Sequence, residues 1–84
     1  MREHAGYFDV WFEKRGFGFI KENRDGKLFR YFVHVSNILS GGAPQTGKRV
    51  LFNVGANERG PVALDVKIVG PIDDEVSLLS GGVL

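Results

Sequence analysis

Short apolar segments separated by glycine-containing turns run along most of the sequence. Within these segments, hydrophobic and polar residues tend to alternate, which is the period of two expected for half-buried β-strands. The alternation is clearest in the last segment, where it places four side chains on the core face: Val62, Leu64, Val66 and Ile68. No segment before residue 71 shows the 3.6-residue apolar period of an amphipathic helix. The pattern therefore predicts an all-β domain.

Five strands are predicted from these segments and the turn residues between them: 7–12, 17–21, 28–33, 49–54 and 62–69. Asp25-Gly26 favours a type I′ hairpin turn between the second and third strands, because both residues readily take positive φ. A long loop is predicted at 37–47, and Gly70-Pro71 is predicted to end the last strand because proline has no N–H for a strand ladder. Five strands with one long connection after the third indicate a five-stranded antiparallel Greek-key β-barrel, the OB-fold.

Aromatic residues are crowded into the first three predicted strands, with nine of the ten between Tyr7 and Phe32. A barrel of this size cannot bury nine aromatic side chains on the inner face of three strands, so several must be exposed. Exposed aromatic rings interleaved with Lys and Arg fit the stacking of unpaired bases, at about 1–3 kcal/mol for each stack.

The alternation also assigns faces to these aromatic residues. It places Phe17 and Phe19 together on one face of the second strand, opposite Ile20, and Phe32 with His34 on one face of the third. The face of Phe17 and Phe19 is interpreted as the exposed one because Ile20 competes for the interior; in an inverted register these two rings would be core. Two glycines, at 16 and 18, flank Phe17. They are interpreted as flat backbone on which a planar base could lie.

Charge changes this picture only slightly. The formal net charge is +1, but residues 1–70 hold eleven basic and seven acidic residues, a net of +4. This excess suits a polyanionic partner without requiring one. Among the basic residues, Lys27 and Arg30 are interpreted as solvated charges at the turn and strand ends.

Several classes of function are not favoured by the residues present. There is no cysteine, and the two histidines are thirty residues apart, so we expect no metal site and no cofactor. Gly42 and Gly47-Lys48 have P-loop spacing, but Arg49 stands where that motif needs Ser or Thr. We therefore expect no enzyme. With no apparent signal peptide or membrane-length apolar run, we also expect no membrane partner and a cytoplasmic location.

Two segments resemble the ribonucleoprotein motifs of the cold-shock domain family. Residues 15–20, Arg-Gly-Phe-Gly-Phe-Ile, match the first motif, Lys-Gly-Phe-Gly-Phe-Ile. Residues 32–36, Phe-Val-His-Val-Ser, resemble the second motif, Phe-Val-His-Phe-Ser. Residues 47–52 and 59–61 look like parts of the family's fourth and fifth strands. The resemblance covers about residues 6–70, in register order.

This resemblance implies a set of nucleic-acid-binding residues. The base-stacking side chains would be Phe17, Phe19, Phe32 and His34. Two interpretations of Trp11 stay open, as a further member of this set or as a ring that packs on the core. Arg15, at the motif's lysine position, could meet phosphate, and Lys14 joins it as one of the basic residues interleaved with the aromatic rings. Arg59 and Pro61 match a hairpin that often lines the same groove. Val35 replaces a frequent aromatic residue, and the loop at 40–46 lacks one, so we expect weaker binding than in strong family members.

The register of the first strand has two alternatives. An ungapped comparison keeps Asp9 in solvent and puts Trp11 on the same exposed face, and this alternative is preferred. A one-residue shift would align Trp11-Phe12 with the family but place Asp9 at a position that the family buries.

The resemblance implies a protein that binds single-stranded RNA or DNA with low sequence specificity, as an RNA chaperone or a regulator of transcription or translation. The alternative is a protein-interaction module that uses the aromatic face or an apolar tail. We predict the barrel at residues 1–70 and a tail at 71–84. The tail could form a short helix, pack on the barrel, join two chains as a homodimer, or stay disordered.

Overall fold

Strands make up most of residues 3–72, the part of the chain that the computed structural model describes. In chain order the elements are β1 (His4–Phe12), β2 (Phe17–Arg24), β3 (Lys27–His34), a 3-10 turn (Val35–Asn37), β4 (Ile38–Ser40), β5 (Lys48–Asn57) and β6 (Gly60–Ile72). All five predicted strands are confirmed and run longer than predicted. The short strand β4 lies in the segment that was predicted to be loop.

The sheet closes on itself to form the barrel. Its order is β3-β2-β1-β5-β6, and a parallel pairing between β3 and β6, at Phe32 and Val62, joins the two ends. The other barrel neighbours are antiparallel, while β4 adds to β6 as a short parallel strand. This confirms the predicted five-stranded Greek-key OB-fold. The described residues contain no helix long and apolar enough to cross a membrane.

The turn between β2 and β3 has the predicted geometry. Asp25 and Gly26 have φ of 55° and 79°, as a type I′ turn requires, and the strands pair without a shift from Arg24 and Lys27 onward. A hairpin without a register shift keeps side chains of β2 and β3 opposite each other along its whole length. This fixed register decides which aromatic residues share a face.

Most of the interior is aliphatic and aromatic. The fully buried large side chains are Phe8, Ile20, Val33, Val50, Phe52 and Val66. In β6 the predicted core face is only half right, because Ala63 is buried with Val66 and Ile68 while Val62 and Leu64 are half-buried. The cause is a bulge near Asp65, whose φ is 50°, between the pairs Leu51–Lys67 and Asn53–Leu64. One extra residue there reverses the alternation.

A second bulge corrects the prediction for the first strand. Phe8 pairs with Ile20, but the next pair is Val10 with Phe19, so Asp9 is an extra residue in β1. Asp9 stays on the outer side, as expected, but every later side chain of β1 changes face. Trp11 is half-buried and packs against the core, with its ring 5.9 Å from that of Phe8. The prediction that Trp11 shares the exposed face of Asp9 is therefore wrong.

The end of the last strand also differs from the prediction. β6 continues through Pro71 to Ile72. The register shifts between the pairs Val50–Ile68 and Lys48–Ile72, and an irregular segment of this kind tolerates a residue without an N–H. Residues 71–72 are therefore strand and not the start of a helix. The other predictions for the tail concern residues 73–84, which lie outside the described part.

One carboxylate is buried in the barrel. Glu22 accepts a hydrogen bond of 2.8 Å from the Tyr31 hydroxyl, and His4 Nδ1 lies 3.1 Å from both of its oxygens. Burial, together with this hydrogen bond to Glu22, raises the pKa of Tyr31 to about 12. Within the described residues, no buried side-chain nitrogen or oxygen lacks a partner. The cluster therefore satisfies the polar groups that the fold buries.

Candidate nucleic-acid interface

The outer face of the β2–β3 hairpin carries the predicted aromatic group. Phe17 pairs with His34, and Phe19 pairs with Phe32, so all four side chains point to one face. The Phe17 and Phe32 rings are 5.5 Å apart at 33°, while Phe19 meets Phe32 at 5.9 Å and 75°. Phe17, Phe19 and Phe32 are each half-buried, and His34 is exposed. The rings therefore support one another from the side and leave part of their surface to solvent.

Phe12 joins this group, although the sequence analysis did not select it. It pairs with Phe17 across β1 and β2, its ring lies 5.2 Å from the Phe17 ring, and it is 43% exposed. The alternative register of the first strand, which shifts it by one residue relative to the family, would have pointed to Phe12. The cost assigned to that shift, burial of Asp9, does not arise because the bulge absorbs the extra residue. We call these five side chains the aromatic platform: Phe12, Phe17, Phe19, Phe32 and His34.

His34 is held in one orientation by the turn that follows it. Its Nδ1 accepts a hydrogen bond of 3.1 Å from the Ser36 backbone N–H, which caps the 3-10 turn, and lies 2.8 Å from the Ser36 hydroxyl. Because Nδ1 is an acceptor, a neutral ring carries its proton on Nε2. His34 therefore offers both a ring face and an Nε2–H donor at the end of the platform.

A cleft separates the platform from the β5–β6 turn. Its volume is about 700 Å³, and its lining is Phe17, Phe19, Arg30 and Phe32 on one side and residues 57–61 on the other. Arg59 and Pro61, both exposed, thus lie across the cleft from the aromatic rings, on the hairpin that the family resemblance singled out. The Arg59 N–H donates to the Asn57 side-chain oxygen at 2.8 Å, which fixes the shape of the turn.

Lys14 and Arg15 lie beside the cleft and do not line it. Both side chains are exposed in the turn between β1 and β2. The N–H groups of Arg15 and Gly16 donate to the Phe12 carbonyl at 3.1 and 2.9 Å, which holds this turn next to the platform. The two cations can therefore meet the backbone of a strand that continues past Phe12 and Phe17.

From the sequence, Arg30 was interpreted as a solvated charge at a strand end, but in the structure its guanidinium makes two specific contacts. Its guanidinium carbon lies 4.2 Å from the Phe19 ring centroid, and its Nη2 lies 3.3 Å from a carboxylate oxygen of Asp9. Asp9 also pairs with Lys21 at 3.5 Å. Arg30 is thus part of the cleft wall, and no residue pattern in β3 alone indicated this.

The glycine beside Phe17 also has a different role from the one predicted. Gly18 is buried, and a Cβ there would collide with the Val10 carbonyl and the Trp11 ring. Gly18 therefore allows the close approach of its neighbour β1 at this point, and its inner side is unavailable to a base. Its lack of a side chain serves the packing of Trp11.

Metal binding gets no support from the geometry. In residues 3–72 no three His, Asp or Glu side chains are arranged to hold a metal ion. His4 and Glu22 contact each other, but they are only two candidate ligands, and the carboxylate already accepts a hydrogen bond from Tyr31. The chemistry that the described surface offers is stacking, hydrogen bonding and positive charge.

Comparisons with known proteins agree with this geometry. The family model described as 'Cold-shock' DNA-binding domain matches residues 8–69. Among solved structures, 36 chains match, and one is the Drosophila Unr structure titled CSD456. That structure is 25% identical with a TM-score of 0.65, and the match covers 83% of this chain and 28% of the Unr chain. The chain thus spans less than a third of that relative. No curated protein matches it.

Proposed function

Because the chain belongs to the cold-shock domain family, whose members bind nucleic acids and are not enzymes, we propose that it binds single-stranded RNA or DNA through the aromatic platform. The observation that supports this most is the position of the rings. Four phenylalanines and a histidine share one outer face beside a cleft. Half-exposed rings keep apolar surface in contact with water, which is unfavourable. A base that stacks on them covers this surface and offsets the cost.

Unpaired bases suit this surface better than a duplex does. Stacking needs access to the face of a base, which is hidden in a double helix, and each stack contributes about 1–3 kcal/mol. Every base has such a face, so the binding is sequence-tolerant. Site sizes of comparable barrels indicate a strand of about 4–8 nucleotides.

Positive side chains would contact the phosphates along the edges of the platform. Lys14 and Arg15 lie at one edge, and Arg59 lies across the cleft. A phosphate backbone that follows these three cations passes beside the rings, so its bases can turn inward. Contacts of this kind release counterions, so the affinity falls as the salt concentration rises.

Two features limit the strength of this binding. Val35, which is 47% exposed, follows His34 where relatives often carry a further ring, and residues 40–46 contain no aromatic side chain. Asp9 neutralises part of the charge of Lys21 and Arg30. Fewer stacks and fewer unpaired cations favour an affinity below that of strong family members.

We further propose that the protein acts in the cytoplasm on structured RNA. A protein that captures unpaired segments with little sequence preference opposes hairpin formation, which is the action of an RNA chaperone and a means to regulate transcription or translation. An RNA hairpin that carries a fluorophore and a quencher at its ends tests this role. We expect its fluorescence to increase with protein, and no increase at saturation would contradict the chaperone role.

The binding itself is tested by titrating a labelled pyrimidine-rich strand of about eight nucleotides and measuring its anisotropy at two salt concentrations. Trp11 fluorescence is a second readout, because its ring lies against Gly18, next to Phe17 and Phe19. We expect a rise in anisotropy that weakens with salt. No rise at millimolar strand would exclude the proposed function and favour the protein-interaction alternative.

A further inference from the structure

Phe19 differs from the other rings of the platform because one of its faces is already covered. The Arg30 guanidinium lies over it, with 4.2 Å from Cζ to the ring centroid. The remaining contacts of Phe19 within the platform are nearly perpendicular, at 90° to Phe17 and 75° to Phe32. A base that reaches this end of the platform therefore meets Arg30 before it meets the covered face of Phe19.

Arg30 is held in this place from a second direction. Asp9, the extra residue of the β1 bulge, contacts Arg30 Nη2 at 3.3 Å and Lys21 Nζ at 3.5 Å. The bulge thus brings a carboxylate across β2 to a cation on β3. Although its guanidinium contacts both Phe19 and Asp9, the Arg30 side chain is 53% exposed. The guanidinium thus has two partners in the protein while its solvent side stays accessible.

A base has two ways to use this position. It could displace Arg30 and stack on Phe19, which would break the cation–π contact and the ion pair with Asp9 in exchange for one stack. It could instead stack on the solvent side of the guanidinium, which keeps both contacts and adds a third layer. Guanidinium planes stack on bases as aromatic rings do, and a delocalised cation is only weakly hydrated. The second arrangement loses nothing that the protein already has.

We propose, on the basis of the function above, that Arg30 is the stacking plane for an unpaired base at the Phe19 end of the platform. Asp9 is its positioning residue, and Phe19 is its support. The ligand is a nucleobase of a single strand, sandwiched so that Arg30 lies between the base and the Phe19 ring.

Arg30→Lys is the discriminating variant, because lysine keeps the charge and loses the plane. We expect the affinity for the labelled pyrimidine strand to fall about tenfold, as when one stack is lost. The slope of log Kd against log salt should stay as in the wild type. Arg24→Lys is the matched control. Arg24 lies over Phe29 at 4.3 Å in the same hairpin, but neither residue lines the cleft, so its affinity should not change.

The Arg30 side-chain protons give a direct readout by NMR. In the unbound protein, we expect the ring current of Phe19 to shift the Arg30 Hδ resonances upfield. Stacking of a base on the other side shifts them further upfield at saturation. Asp9→Asn should move them toward their random-coil positions before any strand is added, because the anchor is lost.

Three results would overturn the inference. Arg30→Lys could bind as tightly as the wild type, which would make Arg30 a phosphate contact, or more tightly, which would make it a mask over Phe19. The Hδ resonances could return to random-coil positions on binding, which would mean displacement. Wild-type protein that binds no strand would instead contradict the proposed function, so the two failures are distinguishable.

Discussion

The two faces of β2 and β3 carry apolar side chains in different surroundings. On the inner face Ile20, Tyr31 and Val33 are buried, and the polar groups of Tyr31 and Glu22 are satisfied within the barrel. On the outer face Phe17, Phe19 and Phe32 contact one another but stay half-exposed. We therefore expect the inner face to contribute stability and the outer face to carry the proposed binding. Changes to the two faces should separate folding from binding.

The largest effect is expected from the inner face. Ile20→Ala removes a fully buried side chain from β2 and should lower the free energy of unfolding by about 2–5 kcal/mol. Urea unfolding followed by circular dichroism measures this loss. The fraction that remains folded should bind the strand with unchanged affinity. A variant as stable as the wild type would show that this face does not form the core.

A change to Phe17 on the outer face should affect strand binding and leave stability nearly unchanged. Phe17→Ala removes one member of the platform and should weaken strand binding by about 1–3 kcal/mol, or roughly 5- to 150-fold, while the unfolding midpoint changes little. Anisotropy and thermal unfolding measured on the same sample separate the two quantities. If this variant unfolds instead, the ring belongs to the core and the comparison between the faces fails.

The pKa of Tyr31 on the inner face offers a second test, because it makes the stability of the fold depend on pH. In the folded protein its pKa is raised to about 12, against about 10 in the unfolded chain, so folding favours the neutral phenol. This contribution is fully present below pH 10 and is lost as the pH rises toward 12, at about 1.4 kcal/mol for each pH unit. Tyr31→Phe should lose this part of the alkaline decline.

In the same variant, the free energy of unfolding at neutral pH should fall by about 1–2 kcal/mol. The reason is that the buried Glu22 loses the Tyr31 hydroxyl as a hydrogen-bond donor and keeps only His4. Urea midpoints of the wild type and the variant at about pH 9 and about pH 11 measure both effects. Equal alkaline declines in the two proteins would mean that other groups cause the pH dependence. Strand binding at neutral pH should be alike in both.

The smallest effect is expected at the far side of the cleft. Arg59→Ala should weaken binding several-fold, equally for different base sequences, and reduce the salt slope by about one phosphate contact. Lys67→Ala is the matched control, because Lys67 is a cation outside the cleft lining that pairs with Glu3 at 3.1 Å. An unchanged slope in Arg59→Ala would remove this side of the cleft from the interface.

Much of this architecture could be predicted from local sequence alone. Alternation located the five strands, and Asp25-Gly26 gave the type I′ turn because positive φ is a property of those two residues. The same alternation placed Phe17 and Phe19 on one face, which the structure reproduces. These features depend on neighbours in the chain, and a pattern of period two records them directly.

The errors arose where one strand adapts to another. The bulges at Asp9 and near Asp65 reverse the alternation, so Trp11 and Ala63 turn inward while Phe12 turns outward. A bulge is defined by unequal spacing between two paired strands, and neither strand alone contains that information. Gly18 was misinterpreted for the same reason, because its close neighbour is β1.

The sequence by itself determined the all-β class, the order of the strands and the family, since these follow from short-range periodicity and from two contiguous motifs. Only the tertiary structure decided which rings form the platform and what surrounds them. The cleft joins residues from different strands, such as Phe32 and Pro61. The position of Arg30 likewise depends on contacts with two other strands, through Phe19 and Asp9. Barrel closure and a one-residue bulge bring them together, because both set distances in space that separation along the chain does not encode.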